Sequence, residues 1–312
     1  MVLIYTHSDF AGHVTPPGHP EQVARHAAVL AGLSGIAADR HEAPQADEAD
    51  LRRCHPASHL ARLGAAMPKA GFAALDGDTI LSPGTWNAAS RAVGGACAAV
   101  DAVLAGGGRA GENRAFVACR PPGHHASATT AMGFCIFSTV AIAAMQALDH
   151  HGLARVAVLD FDVHHGNGTQ DLLWDEGRAM FVSSHQMPLF PGSGAAAERG
   201  AQGQIVNLPL RAGSGSAGMR AAWAAALPRV ADFRPELVLI SAGFDAHRDD
   251  PLGGLLWEVA DYAWLTAQIC AVADRVCGGR VVSCLEGGYD LPALTASVAA
   301  HVTGLGRLGS DR

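Results

Sequence analysis

The sequence predicts an α/β fold: three layers, α-β-α, around one mostly parallel central sheet. Three observations predict it. Five short runs rich in Val, Leu, Ile and Phe recur without the polar alternation of a half-exposed strand, Ala-rich stretches of helical length lie between several of them, and each run finishes in a polar or glycine-rich segment. Continuous apolar runs suit strands covered on both faces, and alternation with helices supplies the two covering layers.

Taken in order, residues 1 to 90 carry weak periodicity with many His, Pro and Gly, which predicts a loop-rich region. The strands are then predicted at 114 to 119 (RAFVAC), 155 to 161 (RVAVLDF), 179 to 184 (AMFVSS), 237 to 242 (LVLISA) and 280 to 285 (RVVSCL), with helices at 134 to 150, 214 to 232 and 258 to 277. No charge block, long linker or internal repeat divides the chain, so residues 1 to 312 are expected to form a single domain.

Composition narrows the function. Of 312 residues 49% are hydrophobic and 16% charged, the balance of a compact globular protein, and the net charge of -7 argues against a broad nucleic-acid surface. The start, MVLIYTHSDF, lacks a basic leader and a cleavage site, and no stretch of ~18 uncharged apolar residues follows, so no membrane partner and a cytoplasmic location are expected. The seven cysteines are odd in number, widely spaced and without a C-x-x-C, which predicts inert core thiols rather than a disulfide framework.

Polar residues fall in clusters at the strand ends. After 114 to 119 comes RPPGHHA, with Arg120, His124 and His125; after 155 to 161 comes DVHHGNG; after 237 to 242, GFDAHRDDPLGG; after 280 to 285, EGGYD. In an open parallel sheet ligands and chemistry collect at such ends, so the four clusters should converge on one pocket. Asp162 and His164 are one residue apart and would share a side of an extended chain, and Asp245 arrives from another strand end. One imidazole and two carboxylates leave a Zn²⁺ ion an open position, as a catalytic site requires, although helix capping by the first two and a turn role for Asp245 is the alternative. The irregular Pro-Pro-Gly presents His124 and His125 either as surface histidines or as proton acceptors working near neutral pH. Tyr289, one of three tyrosines, is either a packed turn residue or a phenol that donates to a substrate carbonyl oxygen.

Together the clusters resemble the zinc-dependent histone deacetylase family. RPPGHHA, GFC at 133 to 135, DFDVHHGNGTQ, SSH followed by FPGSG, SAGFDAH with DPLGG, and EGGYD follow the family's order, and HPEQVAR at 19 to 25 is similar to its N-terminal region. The resemblance implies an arginase/deacetylase-like fold and a catalytic Zn²⁺ held by Asp162, His164 and Asp245. It implies His125 as general base, His124 as its electrostatic partner and Tyr289 as the group that binds the scissile carbonyl. Asp160 would orient His124 and Asn167 would orient His125. Asn167, where other branches carry aspartate, resembles the class II branch, and His165 would pack beside the ligands. The resemblance further implies an acyl-lysine tunnel walled by Phe134 and Phe190 with Leu252 at its rim, and a structural potassium ion near Asp160, Asp162, His164, Ser183 and Ser184.

The function so implied is hydrolysis of an N-acyl amide by activated water, with acetyl-lysine in a protein or peptide as the expected substrate. Acetylated polyamines are the alternative: apolar Leu252 speaks against them, and Asp249 and Asp250 beside it for them. A two-Mn²⁺ ureohydrolase of related fold would want an aspartate at the position of Gly166, and a non-catalytic acyl-lysine reader would not need every catalytic position filled. Fe²⁺ or Co²⁺ suits the same N/O donors as Zn²⁺.

Overall fold

A computed structural model describes residues 1–106 and 113–307. The chain opens with β1 (Val2–Thr6), α1 (Ala24–Leu33), β2 (Ala38–Glu42), the short helices α2 (Glu48–Leu51) and α3 (Ala57–Ala66), the small pair β3 (Ala73–Ala74) and β4 (Ile80–Leu81), and the long α4 (Thr85–Ala105). It continues through β5 (Arg114–Val117), α5 (Thr139–Asp149), β6 (Val156–Asp160), α6 (Asn167–Leu172), β7 (Ala179–Gln186), β8 (Ile205–Leu210), α7 (Ser216–Phe233), β9 (Leu237–Ala242), α8 (Val259–Cys277), β10 (Val281–Leu285) and α9 (Leu291–Gly306).

Eight strands form one sheet in the order β2-β1-β5-β10-β9-β6-β7-β8, with every pairing parallel; β3 and β4 pair antiparallel outside it. Helices α1, α9, α8 and α7 pack against one another on one face, and α4 and α5 against each other on the other. The three-layer α/β expectation therefore holds. The five predicted strands are all present, and β5, β6, β7, β9 and β10 are buried at every position. That burial is why they read as unbroken apolar runs.

Several expectations are corrected. The first 90 residues hold two strands of the main sheet, β1 and β2, and the helices α1 and α3 besides loops. The helix expected from 134 starts at Thr139, because Gly133 and Phe134 have φ of 56° and 69°, a left-handed conformation no α-helix tolerates. Helix α4 is long and apolar enough to cross a membrane by length and composition, but two-thirds of that window is buried in the protein core. All seven cysteines are free and buried, and burial raises every thiol above its usual pKa, as suits inert core thiols.

His301 on α9 links the helical layer to the sheet. It is fully buried, hydrogen-bonds Thr266 Oγ1 on α8 at 2.6 Å and Ser283 Oγ on β10 at 2.9 Å, and packs against Phe116, Phe161 and Phe244. Burial pushes its imidazole down to about 3. A folded pKa below the unfolded value of about 6.5 gives stability that is present above pH 6.5 and lost as pH falls towards the folded value. At pH 5 this one group should have cost about 2 kcal/mol. Urea unfolding at pH 7.5 and pH 5 measures the loss, and His301→Gln should flatten the difference by about that amount; an unchanged slope would remove His301 as its source.

Candidate active site

Four adjacent strands, β5, β10, β9 and β6, end on the same side of the sheet, and the segments that follow them carry the four polar clusters. The convergence expected from the sequence is therefore a consequence of strand order. Asp160 is the last residue of β6, and the chain bends beyond it. Asp162 and His164 thus meet by a different route from the extended backbone expected. Asp162 Oδ1 accepts the His164 backbone N–H at 2.9 Å, a turn closed by the aspartate itself, which brings His164 Nδ1 to 3.1 Å from the same oxygen.

Asp245 completes the group from the β9 side. Its Oδ1 accepts the Val163 N–H at 2.8 Å, and its Oδ2 lies 3.3 Å from His164 Nδ1. One donor atom from each of Asp162, His164 and Asp245 lies within 4.8 Å of the others, and all three residues are buried. Asp245 Oδ2 has no hydrogen-bond partner. A Cβ on Gly287 would land on that oxygen and crowd Asp162 Oδ2, so only glycine lets the Glu286–Tyr289 segment approach, and its N–H donates to Asp162 Oδ2 at 2.9 Å.

These observations fit a divalent cation: two buried carboxylates and an imidazole, one oxygen left without a donor, and a backbone cradle that excludes any larger residue. A second group, His124, Cys135 and Glu286, also lies close enough to hold an ion. Its strongest donors are already engaged, Glu286 Oε2 by the N–H groups of Gly123 and His124 at 2.6 and 3.1 Å and His124 Nδ1 by Asp160 Oδ2 at 3.0 Å.

The two histidine rings of RPPGHHA lie 4.0 Å apart, tilted 43° to each other, and both are buried. Their partners differ. His125 Nδ1 meets Asn167 Oδ1 at 2.7 Å; because the amide oxygen can only accept, Nδ1 carries the proton and Nε2 keeps a free lone pair. Burial, with His124 and His164 beside it, lowers the His125 pKa well below normal and keeps the ring neutral. Burial also works against charge on His124, but the Asp162 and Asp160 carboxylates outweigh it and raise its pKa well above normal. Burial pushes Glu286 up to about 7.

Tyr289 is buried, its ring edge-on to Phe134 at 5.7 Å and under the Arg25 guanidinium at 4.9 Å. Burial raises its phenol well above 10, so it remains a hydrogen-bond donor. Phe190 stands edge-on to His125 at 5.1 Å and is 42% exposed, so each of the two expected wall residues packs against one of the candidate catalytic side chains, Phe134 on Tyr289 and Phe190 on His125. Leu252 is half-buried in the turn after Asp245, where Gly253 packs onto Val163. Of its acidic neighbours only Asp249 is exposed; Asp250 is buried and spends its carboxylate on the N–H groups of Leu252, Tyr289 and Asp290. Ser183 sits opposite Asp160 in the sheet and bonds His185, while Ser184 accepts from Trp223. His165 points away from the three candidate ligands, to Ser193 and Gln170.

Comparison with known proteins now bears on the group. The histone deacetylase domain model matches residues 19–305. The chain belongs to the histone deacetylase family. It is 40% identical over 291 residues to a histone deacetylase-like amidohydrolase of Pseudomonas aeruginosa, covering 89% of this chain and 75% of that one. With the chloroplastic histone deacetylase 14 of Arabidopsis thaliana it shares 37% identity, over 99% and 77% of the two chains. Among solved structures, an acetylpolyamine aminohydrolase from Burkholderia pseudomallei superposes with a TM-score of 0.86 at 31% identity over 99% of both chains, and the HDA15 HD domain with 0.89 at 30% identity over 97% and 90%. The family is one of hydrolytic deacetylases and amidohydrolases, and this chain has their fold.

One part of the candidate site went unread in the sequence. Glu21 and Arg25, from HPEQVAR, are fully buried behind Tyr289. Glu21 takes Arg120 at 2.6 and 2.7 Å, Arg25 at 2.9 Å and His13 at 3.2 Å, while Arg25 also donates to the carbonyls of Glu286 and Gly288. Burial raises the Glu21 pKa, but Arg120, His13 and Arg25 reverse that and hold it well below the usual carboxylate range. An i,i+4 Glu–Arg pair in an N-terminal segment is the signal that was available, but exposed pairs look the same in sequence.

A divalent ion supplied at about 100 times its Kd should stabilise the protein by about 2.7 kcal/mol, read as a rise in the unfolding midpoint. Asp245→Asn should lose most of that rise and lower the bound stoichiometry from one ion per chain. An equal rise in wild type and variant would place the ion elsewhere.

Proposed function

We propose that the deacetylase hydrolyses N-acyl amides, with acetyl-lysine in a peptide or protein as the preferred substrate and one Zn²⁺ held by Asp162, His164 and Asp245. The observation that carries the reading is the orphaned Asp245 Oδ2 in a buried carboxylate–imidazole group, set against a neutral His125 whose Nε2 lone pair is free. When bound, the ion would polarise the acyl carbonyl and lower the pKa of a water molecule.

The chain's own residues supply the rest. His125 takes the proton from the attacking water on Nε2, because Asn167 fixes the proton already on Nδ1. As an imidazolium it then returns a proton to the leaving amine. His124, paired with Asp160, adds a fixed field beside it, and Asp160 and Asn167 orient the two rings. Tyr289 donates its phenolic O–H to the carbonyl oxygen as negative charge collects there. Phe134 and Phe190 clasp the methylene stem of the acyl-lysine, excluding water along its length. A structural potassium ion at Asp160, the backbone of Asp162 and His164, Ser183 and Ser184 belongs to the same reading; its support is the pairing of Asp160 with Ser183 across β6 and β7.

Similarity to an acetylpolyamine aminohydrolase favours a second reading, acetylated polyamines as substrate. Against it, Asp250 is turned inward, which leaves Asp249 alone of that pair to attract a cationic chain. Turnover of an acetyl-lysine peptide against N-acetylputrescine on metal-loaded protein separates the two: the peptide should have the higher kcat/KM, and a preference for the putrescine would reverse the assignment.

Tyr289→Phe should lower kcat about 100- to 1000-fold while KM stays near wild type. His125→Ala should lower kcat about 100- to 10 000-fold with the ion retained. Wild-type turnover in either variant would strip that residue of its role.

A further inference from the structure

The histidine beside His164 is left without a task by the mechanism, yet it is buried and has both ring nitrogens engaged. The bonds around it have a fixed direction. Glu198 carries only acceptors, so Gln170 Nε2 donates to its Oε2 at 2.6 Å. The other end of that amide, Gln170 Oε1, therefore accepts, from Asn207 Nδ2 at 2.7 Å and from His165 Nε2 at 3.0 Å. With its proton on Nε2, His165 has a bare Nδ1, and the Ser193 hydroxyl donates to it at 2.8 Å.

The relay starts and ends in one segment, the connection between β7 and β8 that carries Phe190. Glu198 closes that segment on itself, accepting the N–H groups of Gly194 at 3.1 and 3.2 Å and of Ala195 at 3.0 Å. Gly194, with φ of 92°, lies flat on two imidazoles: a Cβ there would sit 2.5 Å from His185 Nε2 and 2.7 Å from the His165 ring, and its carbonyl accepts from His185 Nε2 at 2.9 Å. Phe190 itself, 42% exposed, has no such tether on its side chain.

We propose that Glu198 is a positioning residue which, through Gln170 and His165, ties the Phe190 wall to the loop bearing His164. Its position follows from geometry alone; its consequence for substrate rests on the function proposed above. Releasing the tether loosens one wall of the substrate channel, while the bonds that orient the proton-moving rings, Asn167 to His125 and Asp160 to His124, lie outside the relay and stay in place. A loss of contact made equally to substrate and transition state raises KM and leaves kcat alone.

Steady-state kinetics on an acetyl-lysine peptide, paired with hydrogen–deuterium exchange, test this on metal-loaded full-length chain. Glu198→Ala should raise KM about tenfold with kcat within about twofold, and speed exchange in 190–198 about tenfold while 156–165 is unchanged. Glu198→Gln keeps one acceptor oxygen and should fall between wild type and Ala. Ser193→Ala removes only the last bond of the relay and gives a smaller change of the same kind, which serves if the Ala variant at 198 fails to fold. Unchanged KM with unchanged exchange overturns the proposal, as does a fall in kcat with loss of bound ion, which would mean that the relay holds the ligands and not the wall. If wild type hydrolyses no acyl amine, the function proposed above fails; faster exchange confined to 190–198 then still supports the tether, and unchanged exchange refutes it.

Discussion

Asp160, Asp162, Asp245 and Glu286 bring four carboxyl groups into the interior at the ends of the adjacent strands β6, β9 and β10, each 1% exposed or less. An isolated ion removed from water costs several kcal/mol, so the surroundings have to answer each one. Backbone N–H groups do most of this: Asp162 N for Asp160, His164 N and Gly287 N for Asp162, Val163 N for Asp245, Gly123 N and His124 N for Glu286. Such donors are fixed by the strand ends and need no side-chain entropy. They also bring the backbone so close that side chains are excluded, and the glycines at 243 and 287, where a Cβ would strike Asp162 or Asp245, follow from that. Backbone dipoles carry no net charge, however. The raised pKa of His124 and an Asp245 Oδ2 that accepts no hydrogen bond both fit a site with more negative charge than the chain's own cations neutralise.

A second layer of charge holds the loops that supply those donors. Glu21 joins Arg120, at the head of the histidine loop, to Arg25, which grips the carbonyls on either side of Gly287. Three loops from distant parts of the sequence are thereby tied to one carboxylate. Fully buried pairs of this kind add little net stability relative to apolar packing, but loss of one partner strands the others, at about 3–5 kcal/mol. Their contribution is geometric: the segment bearing Tyr289 cannot drift relative to the segment bearing His125.

Much of this was legible in the sequence because the chemistry sits at strand ends. The strands buried on both faces announced themselves as apolar runs, and each cluster followed a run directly. What escaped did so for physical reasons. Strand β8 is an edge strand that carries Asn207 and Pro209, and proline is tolerated there only because one side of an edge needs no hydrogen bonds. Helix α4 is buried around much of its circumference and so lacks the one-sided periodicity that marks a surface helix. The turn at Asp162 gave the right convergence by a mechanism unlike the expected one, since an i,i+2 spacing serves an extended chain and a side-chain-closed turn alike. The Glu21 network stayed hidden because its meaning depends on burial, which pairwise spacing does not encode.

The candidate ligands and the two phenylalanines expected as walls are positioned by different means. The candidate ligands follow strand ends locked to a continuous sheet, while the two phenylalanines come from long connections: Phe134 from a turn in left-handed conformation after RPPGHHA, and Phe190 from the segment between β7 and β8. The first wall is held by its neighbours, with Thr79 Oγ1 accepting the Phe134 N–H and His19 packed against the ring at 4.8 Å. The second is held at a distance, by polar atoms that reach His165. Under the function proposed above, substrate selection could change through these two connections while His125 and Tyr289 keep their places. The doubled histidine of DVHHGNG stands at that junction: His164 faces the carboxylates, and His165, one residue on, faces the loop that carries the wall.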